Sequence, residues 1–174
     1  FRFLVRASNA YDVECIDNLF IQGAPRRLTV SIPRDLLLRY GEKRQIPIYV
    51  DRSVGIGLSS YRFELTFDPT VLSMMQVTSF ASLTSRGWVG PVMYSITPGR
   101  VSISDYSTNS FVNSEPGLLL SLQAEAIYRG SGSGSFARTE LSIDPTTLVM
   151  NNGDIRTSSV DGSAYVTDDC LEPL

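Results

Sequence analysis

The chain contains no histidine, and this limits the chemistry that its side chains can perform. Histidine is the usual proton shuttle near neutral pH and a common ligand of transition metals. Its absence excludes Ser-His-Asp and Cys-His catalysis. A glycosidase mechanism remains open, because it needs only two carboxyl groups a short distance apart.

The aspartates lie mainly beside glycine, proline or the ends of predicted strands. Asp51, Asp68, Asp144, Asp154 and Asp161 all have this setting. Aspartate is favoured in turns because its carboxylate accepts a hydrogen bond from the backbone two residues on. We therefore predict structural roles for these acids, no catalytic residues and no enzymatic activity.

A group of oxygen-bearing side chains lies near the end of the chain. Asn151, Asn152 and Asp154 are close in sequence, and Asp161 follows. Such oxygens are ligands of Ca²⁺ in proteins, so a calcium site is one interpretation. The residues lack the spaced acidic loop of an EF-hand, and a simple Asn-Gly turn accounts for them equally. We favour the turn and predict no metal and no cofactor.

Trp88 is the single tryptophan and lies in a loop-like stretch. Sandwiches that bind glycans present a flat row of aromatic rings, and Tyr94 and Tyr106 on neighbouring strands would extend such a row. A large aromatic residue beside glycine-rich turns is more often packing material. We therefore predict that Trp88 covers one end of the core.

Cys15 and Cys170 are the only cysteines of the chain. In an extracellular protein, two cysteines are typical of one disulfide. The bond would form either within one chain or between neighbouring copies. The Cys-x-x-Cys spacing of redox and zinc sites is absent, so neither role is predicted.

The composition is that of one globular domain. The chain has 174 residues, of which 43% are hydrophobic, and a net charge of −3. Phosphate binding needs a clustered basic surface, so nucleic acid is not a predicted partner. The longest apolar run is far shorter than the ~18 residues of a membrane helix, so no membrane insertion is predicted. A start at Phe1 without methionine is expected of a processed secreted product or of a piece of a longer protein.

Alternation of apolar and polar residues predicts an all-β fold. It is clearest in residues 61–67, where every second side chain is apolar. Asp68 and Pro69 then favour a turn that ends the strand. Residues 35–40 have room for one helical turn. The predicted strands lie near residues 28–32, 45–50, 60–67, 73–78, 91–96, 100–106, 117–128, 138–150 and 159–167.

Residues 61–72 resemble the Phe-x-Leu-x-Tyr-Asp-Pro-x-x-Leu signature of cohesin modules, the β-sandwich domains that hold dockerins. The resemblance extends over roughly residues 28–167, with motifs in the order of the family. The further segments are residues 41–50, similar to a glycine followed by a Val-Pro-Val strand; residues 99–103, similar to a Gly-x-Ile strand; residues 117–122, similar to a Gly-x-Leu-x-x-Ile strand; and residues 152–155 with 161–166, similar to the closing strand.

The resemblance implies a nine-stranded jelly-roll β-sandwich that works outside the cell or on its surface and binds another protein. Cohesins that bind dockerins use one outer face of a sheet. The best-known members tend to have Asn and Asp where this chain has Ser60 and Arg62. The outward residues of the corresponding strands are the predicted partner-binding residues: Ser60, Arg62, Glu64, Arg100, Ser102, Ser104, Tyr106, Arg138 and Glu140.

The start of the chain lies outside this resemblance and is predicted to form a β arm. Phe1, Phe3, Val5 and Ala7 alternate with other residues and would contact a partner sheet. An extended strand must pair its backbone groups with an edge. The edge could belong to its own sandwich, a preceding domain or a neighbouring copy. The predicted division is an arm at residues 1–27, a sandwich at 28–168 and a tail at 169–174.

These features predict a non-catalytic assembly module. Strand addition to a sheet edge gains several main-chain hydrogen bonds at once, and a head-to-tail contact repeats into a filament. We therefore predict a self-assembling surface or filament subunit whose partners are further copies of itself. The alternatives are a cohesin receptor for a dockerin-like module in a scaffolding protein, and a carbohydrate-binding module.

Overall fold

The computed structural model describes residues 27–51, 57–85, 88, 92–107, 116–130 and 134–168. The arm residues Phe1, Phe3, Val5 and Ala7, both cysteines and the tail lie outside the described residues. None of the described residues belongs to a helix with the length and hydropathy of a membrane span. The described elements are β1 (Arg27–Ser31), β2 (Leu36–Arg39), β3 (Lys43–Val50), β4 (Ser60–Thr66), β5 (Leu72–Thr78), β6 (Met93–Thr97), β7 (Arg100–Tyr106), β8 (Gly117–Ala126), β9 (Phe136–Ile143), β10 (Val149–Met150), a 3-10 turn (Asn151–Gly153), β11 (Arg156–Val160) and β12 (Gly162–Thr167).

The strands form two sheets, as predicted for a β-sandwich. The first sheet has the order β11-β1-β3-β8-β5. The second has the order β2-β12-β9-β4-β7-β6, and β10 pairs with β4 beside it. Most pairs are antiparallel, but β1 pairs with β11 and β2 pairs with β12 in parallel. Near both ends of the described chain, consecutive strands belong to different sheets. β1 and β11 pair in the first sheet, and the strands that follow them, β2 and β12, pair in the second.

The core lies between the sheets and follows from the alternation in the sequence. On β4, Phe63 and Leu65 are fully buried, whereas Arg62 between Tyr61 and Phe63 is exposed. Ile48 on β3 is fully buried on the facing sheet. Burying one such side chain stabilises the fold by roughly 1.5–3 kcal/mol, which fixes the register of each strand.

Three predictions about secondary structure are wrong. Residues 36–39 form β2 and not a helical turn, because Leu38 is fully buried and the backbone pairs with β12. The run at 138–150 is divided into β9 and β10 by the turn at Asp144. The last run is divided at Asp161 into β11 and β12. The described residues therefore hold more strands than the nine predicted.

The turns predicted at Asp68 and Asp144 are confirmed, and both are held by the same pair of hydrogen bonds. Asp68 Oδ1 accepts hydrogen bonds from the Thr70 backbone N–H at 2.8 Å and the Thr70 hydroxyl at 2.7 Å. Asp144 Oδ1 accepts the same two bonds from Thr146, at 2.9 and 2.6 Å. These bonds favour the charged carboxylates and lower the pKa of both aspartates.

Candidate partner-binding face

The outward side of strands β9, β4, β7 and β6 forms one continuous surface, which we call the outer face. Its residues alternate with buried ones such as Phe63 and Ile103, so the core determines which side chains point outward. All nine predicted partner-binding residues lie on this face, and each is exposed or partly exposed. The outer face comprises Arg138, Glu140, Ser142, Ser60, Arg62, Glu64, Thr66, Arg100, Ser102, Ser104, Tyr106, Met93, Ser95 and Thr97.

Strand register arranges these side chains in rows across the sheet. Arg62 lies opposite Ser104, and Ser104 lies opposite Met93. On the other side of β4, Val149 of β10 lies opposite Arg62. Directly opposed residues have Cβ atoms roughly 4.5–5.5 Å apart. Arg62 therefore lies in a row between Val149 and Ser104, with Met93 on β6, the last strand of this sheet among the described residues.

Glu64 and its neighbours form a fixed charged group on the outer face. Arg100 Nη1 donates to Glu64 Oε2 at 2.9 Å, and Ser102 Oγ donates to Glu64 Oε1 at 3.0 Å. Because Arg100 is largely exposed, the pair adds less than about 1 kcal/mol to stability. Its main effect is to neutralise both charges and hold the Glu64 side chain in one position.

Arg138 is the second neutralised arginine of the outer face. Its guanidinium pairs with Glu140, and it lies 5.5 Å from the centre of the Tyr165 ring on β12. Tyr165 is the cross-strand partner of Arg138. A carboxylate and an aromatic ring therefore satisfy this cation within the domain.

Arg62 differs from the other two arginines of the face. It is exposed, and within the described part of the chain it makes no ion pair and no hydrogen bond through its side chain. It borders a depression of about 570 Å³ at one end of the face. Tyr106, which is 43% exposed, also lines this depression. The other lining residues are Ser59, Ser60, Tyr61, Ser104, Asp105, Ser107, Val149 and Asn152.

The rim of the depression is held by the side chain of Asn151. Its Oδ1 accepts hydrogen bonds from the backbone N–H groups of Ser59 at 2.8 Å and Ser60 at 3.3 Å. Its Nδ2 donates to the Gly57 carbonyl at 2.9 Å. Asn151, Asn152 and Gly153 all have positive φ, at 47°, 57° and 100°, a conformation that asparagine and glycine tolerate best. These bonds place Asn152 beside the depression.

The residues considered for calcium have other partners in the structure. Asn151 binds the backbone before β4, as described above. Asp161 Oδ2 accepts a hydrogen bond from the Ser142 hydroxyl at 2.7 Å, and its Oδ1 accepts one from the Ile143 N–H at 3.1 Å. Within the described ranges, no group of three or more His, Cys, Asp or Glu side chains could hold a metal. The Asn-Gly turn preferred from the sequence accounts for residues 151–153.

Trp88 packs on the core, as predicted. Its ring centre lies 5.5 Å from that of Tyr61, and it is a partly buried neighbour of the core cluster. Tyr94 lies opposite the buried Ile103, on the inner side of the edge strand β6, whereas Tyr106 is on the outer face. The three aromatic residues therefore do not form the flat row that a glycan site would need.

A buried polar pair beneath the depression was missed by sequence reasoning. Asp105 is only 3% exposed, and its Oδ1 accepts a hydrogen bond from the Tyr106 N–H at 2.8 Å. Asp105 Oδ2 and the Tyr61 hydroxyl are buried beside each other, and neither makes a well-formed hydrogen bond. Burial raises the pKa of Asp105, and the Tyr106 N–H and, secondly, the Tyr61 hydroxyl lower it in part. Burial, and secondly the nearby Asp105 carboxylate, raise the pKa of Tyr61.

Solved structures of cohesin modules are similar to the chain over most of its length. Coh-OlpC in its type I complex with Doc435, from Clostridium thermocellum, has a TM-score of 0.67 and 12% identity over 86% of this chain and 99% of its own. The third cohesin of ScaC, in complex with the ScaB dockerin from Acetivibrio cellulolyticus, has a TM-score of 0.63 and 14% identity over 80% and 98%. A non-cellulosomal cohesin of the archaeon Archaeoglobus fulgidus has a TM-score of 0.62 and 12% identity over 82% and 92%. The chain has the cohesin fold. No protein-family model and no curated protein sequence matches it.

The cohesin-like motifs in the sequence fall on the strands that make this fold. Residues 61–72 contain β4 and the Asp68 turn, and residues 99–103 begin β7. The motif at 41–50 contains β3, and the motif at 117–122 forms the start of β8. These two strands pair with each other. The resemblance is therefore confirmed at the level of the cohesin fold.

Proposed function

We propose that this cohesin-like domain is a non-catalytic protein-binding module and that its partner docks on the outer face. One observation carries the proposal: an exposed sheet surface ends in a depression where Arg62 has no partner within the described residues. Tyr106 and Met93 are 43% and 52% exposed beside it. Tyr, Met and Arg are the residue types enriched at protein interfaces.

A dockerin-like module is the partner class that we propose. Coh-OlpC and the ScaC cohesin, which have similar folds, were each solved in complex with a dockerin. The resemblance to cohesins implies a domain that works outside the cell or on its surface, and we propose this location. The acids Asp68, Asp144 and Asp161 are engaged in turn or strand hydrogen bonds, which supports a module without catalysis.

The test is isothermal titration calorimetry of the whole chain against a panel of purified dockerins. We expect at least one dockerin to bind, and we expect Ser104→Trp to remove binding because the indole would cover the centre of the outer face. Ser121→Trp is the matched control, because Ser121 lies on β8 of the other sheet. Binding that is lost equally in both variants, or no binding by any dockerin, would contradict the proposal.

Self-assembly through the N-terminal arm is a second proposal, and the edge strand β6 supports it. Among the described residues β6 pairs with β7 on one side, and Met93 and Tyr94 are 52% and 44% exposed. An apolar strand added at this edge would satisfy backbone groups and cover both side chains. Phe1, Phe3 and Val5 supply a segment of suitable composition. Cys15 and Cys170 would then join the arm to the tail or join neighbouring copies.

A further inference from the structure

We infer that the partner of this domain inserts a carboxylate, from Asp or Glu, into the depression beside Arg62. The inference rests on the proposed function and specifies the chemistry of the partner. It follows from the charge balance of the outer face, the surroundings of Arg62 and the pairing of the other two arginines.

The outer face has the opposite charge to the whole protein. The chain has a net charge of −3. The face carries three arginines and two glutamates, and each glutamate is paired with an arginine. The surplus positive charge therefore lies at Arg62. A partner with an acidic group at this point gains complementary charge and faster association, whereas a basic group would be repelled.

The depression gives Arg62 an environment that strengthens a new ion pair. Val149 lies beside Arg62 in its row, and Tyr106, Ser60 and Ser104 line the depression together with Arg62. Partner binding would exclude water from this concave site, and charges attract more strongly where the dielectric is lower. A guanidinium also binds a carboxylate through two parallel hydrogen bonds, which fixes the orientation of the partner.

None of the described residues that line the depression supplies this carboxylate. Among them, Asp105 is the one acidic residue. It lies on the inner side of β7, is 3% exposed and makes no ion pair with Arg62. Asn152 and Val149 are neutral. Within the described chain, Arg62 therefore remains available for a charge that comes from outside.

The test uses a display library built on the dockerin Doc435, with the residues that contact Coh-OlpC randomised. The whole wild-type chain and its Arg62→Glu variant serve as parallel targets. We expect wild-type selection to enrich Asp or Glu at one library position and Arg62→Glu selection to enrich Lys or Arg there. A wild-type-selected binder should lose about tenfold or more in affinity for Arg62→Glu and recover it when its own acid is changed to arginine.

Two further variants separate the possible outcomes. Arg62→Gln removes the charge without reversing it and should weaken the same binders less than Arg62→Glu does. Arg156→Glu is the matched control, because Arg156 is an exposed arginine on β11 of the other sheet, and its effect should be no more than about threefold. Circular dichroism establishes that each variant is folded.

The inference and the proposed function fail differently in this experiment. Binders that are blocked by Ser104→Trp but show no acidic preference and no charge recovery would overturn the carboxylate inference and leave the proposed function intact. Binders that none of the outer-face variants affects, or an absence of binders, would overturn both. Acidic enrichment with charge recovery supports both.

Discussion

Tyr61 and Asp105 lie directly opposite each other on β4 and β7, and each buries a polar atom that makes no well-formed hydrogen bond. A buried polar group without a partner costs roughly 1–3 kcal/mol. The pair lies beneath the depression that we propose as the partner site. The domain is therefore less stable than it would be with an apolar pair at these two positions.

The first prediction is that Asp105→Asn stabilises the domain at neutral pH. The amide oxygen can still accept the Tyr106 N–H bond, while the buried charge is removed. We expect the free energy of unfolding to rise by about 1 kcal/mol or more, measured by denaturant titration. Ser104→Asn, on the outward side of β7, is the control and should change stability little. A destabilised Asp105→Asn variant would show that the carboxylate is needed in its charged form.

The pH dependence of this variant tests the same point. The pKa of Asp105 is raised from its ordinary value of 3.8. The contribution of the protonated Asp105 to the free energy of unfolding is therefore fully present below pH 3.8 and is lost as pH rises through the folded pKa. The pKa values of Asp68 and Asp144 are lowered, so their contributions are present above 3.8 and are lost as pH falls through their folded pKa values. The advantage of Asp105→Asn over wild type should therefore shrink below about pH 4. An advantage that is constant over the whole pH range would be evidence against a raised Asp105 pKa.

The second prediction concerns Gly162, where the chain crosses between the sheets. A Cβ atom at this position would lie 2.4 Å from the Pro33 carbonyl oxygen and 2.6 Å from Ile32 Cγ2. Gly162→Ala should therefore destabilise the fold by about 2 kcal/mol or more in thermal unfolding. Gly41→Ala is the matched control, because its Cβ meets no atom within 4 Å and only its φ of +77° opposes the change. Equal effects of the two variants would argue against a steric requirement at the crossing.

The third prediction separates packing from sugar recognition at Trp88. The indole lies against Tyr61, so Trp88→Ala should lower the free energy of unfolding by about 3 kcal/mol. Tyr94→Ala, at the edge strand, should cost much less because Tyr94 is 44% exposed. A Trp88→Ala variant with wild-type stability that has lost binding to a soluble polysaccharide would revive the carbohydrate alternative.

The fourth prediction concerns the arm and is measured by sedimentation velocity. If residues 1–8 pair with the β6 edge of another copy, the whole chain should form oligomers and the chain without these residues should be a folded monomer. Substituting Met93 with lysine should reduce assembly in the whole chain, because Met93 is exposed at this edge. A whole chain that stays monomeric at high concentration contradicts self-assembly.

The fold could be predicted well wherever local patterns decide it. Alternation of buried and exposed residues defined β4 and β7, because one face of each strand is in the core. The turn at Asp68 followed from the hydrogen-bonding capacity of aspartate beside proline. The strand β2 was missed because Leu36, Leu37 and Leu38 do not alternate in type, and their parallel partner β12 is distant in sequence.

The candidate site could be predicted in outline but not in its electrostatics. Outward positions follow from alternation, so nine of the fourteen residues of the outer face were named from the sequence, whereas Ser142, Thr66, Met93, Ser95 and Thr97 were not. Which arginines are neutralised depends on register between strands, which places Arg100 near Glu64 and leaves Arg62 opposite Ser104. The burial of Asp105 could have been predicted, because Asp105 lies on the same side of β7 as the buried Val101 and Ile103. The alternation in the sequence therefore places an aspartate side chain in the core.

The most direct test of the proposed binding face is a chemical-shift titration of the isotope-labelled whole chain with the tightest-binding dockerin of the panel. The account predicts that the largest changes in backbone amide shifts occur at Ser60, Arg62, Ser104 and Tyr106, with little change in β1, β3 and β8 of the other sheet. Largest changes in that other sheet, or no dockerin that perturbs the spectrum, would contradict the claim that the outer face binds the partner.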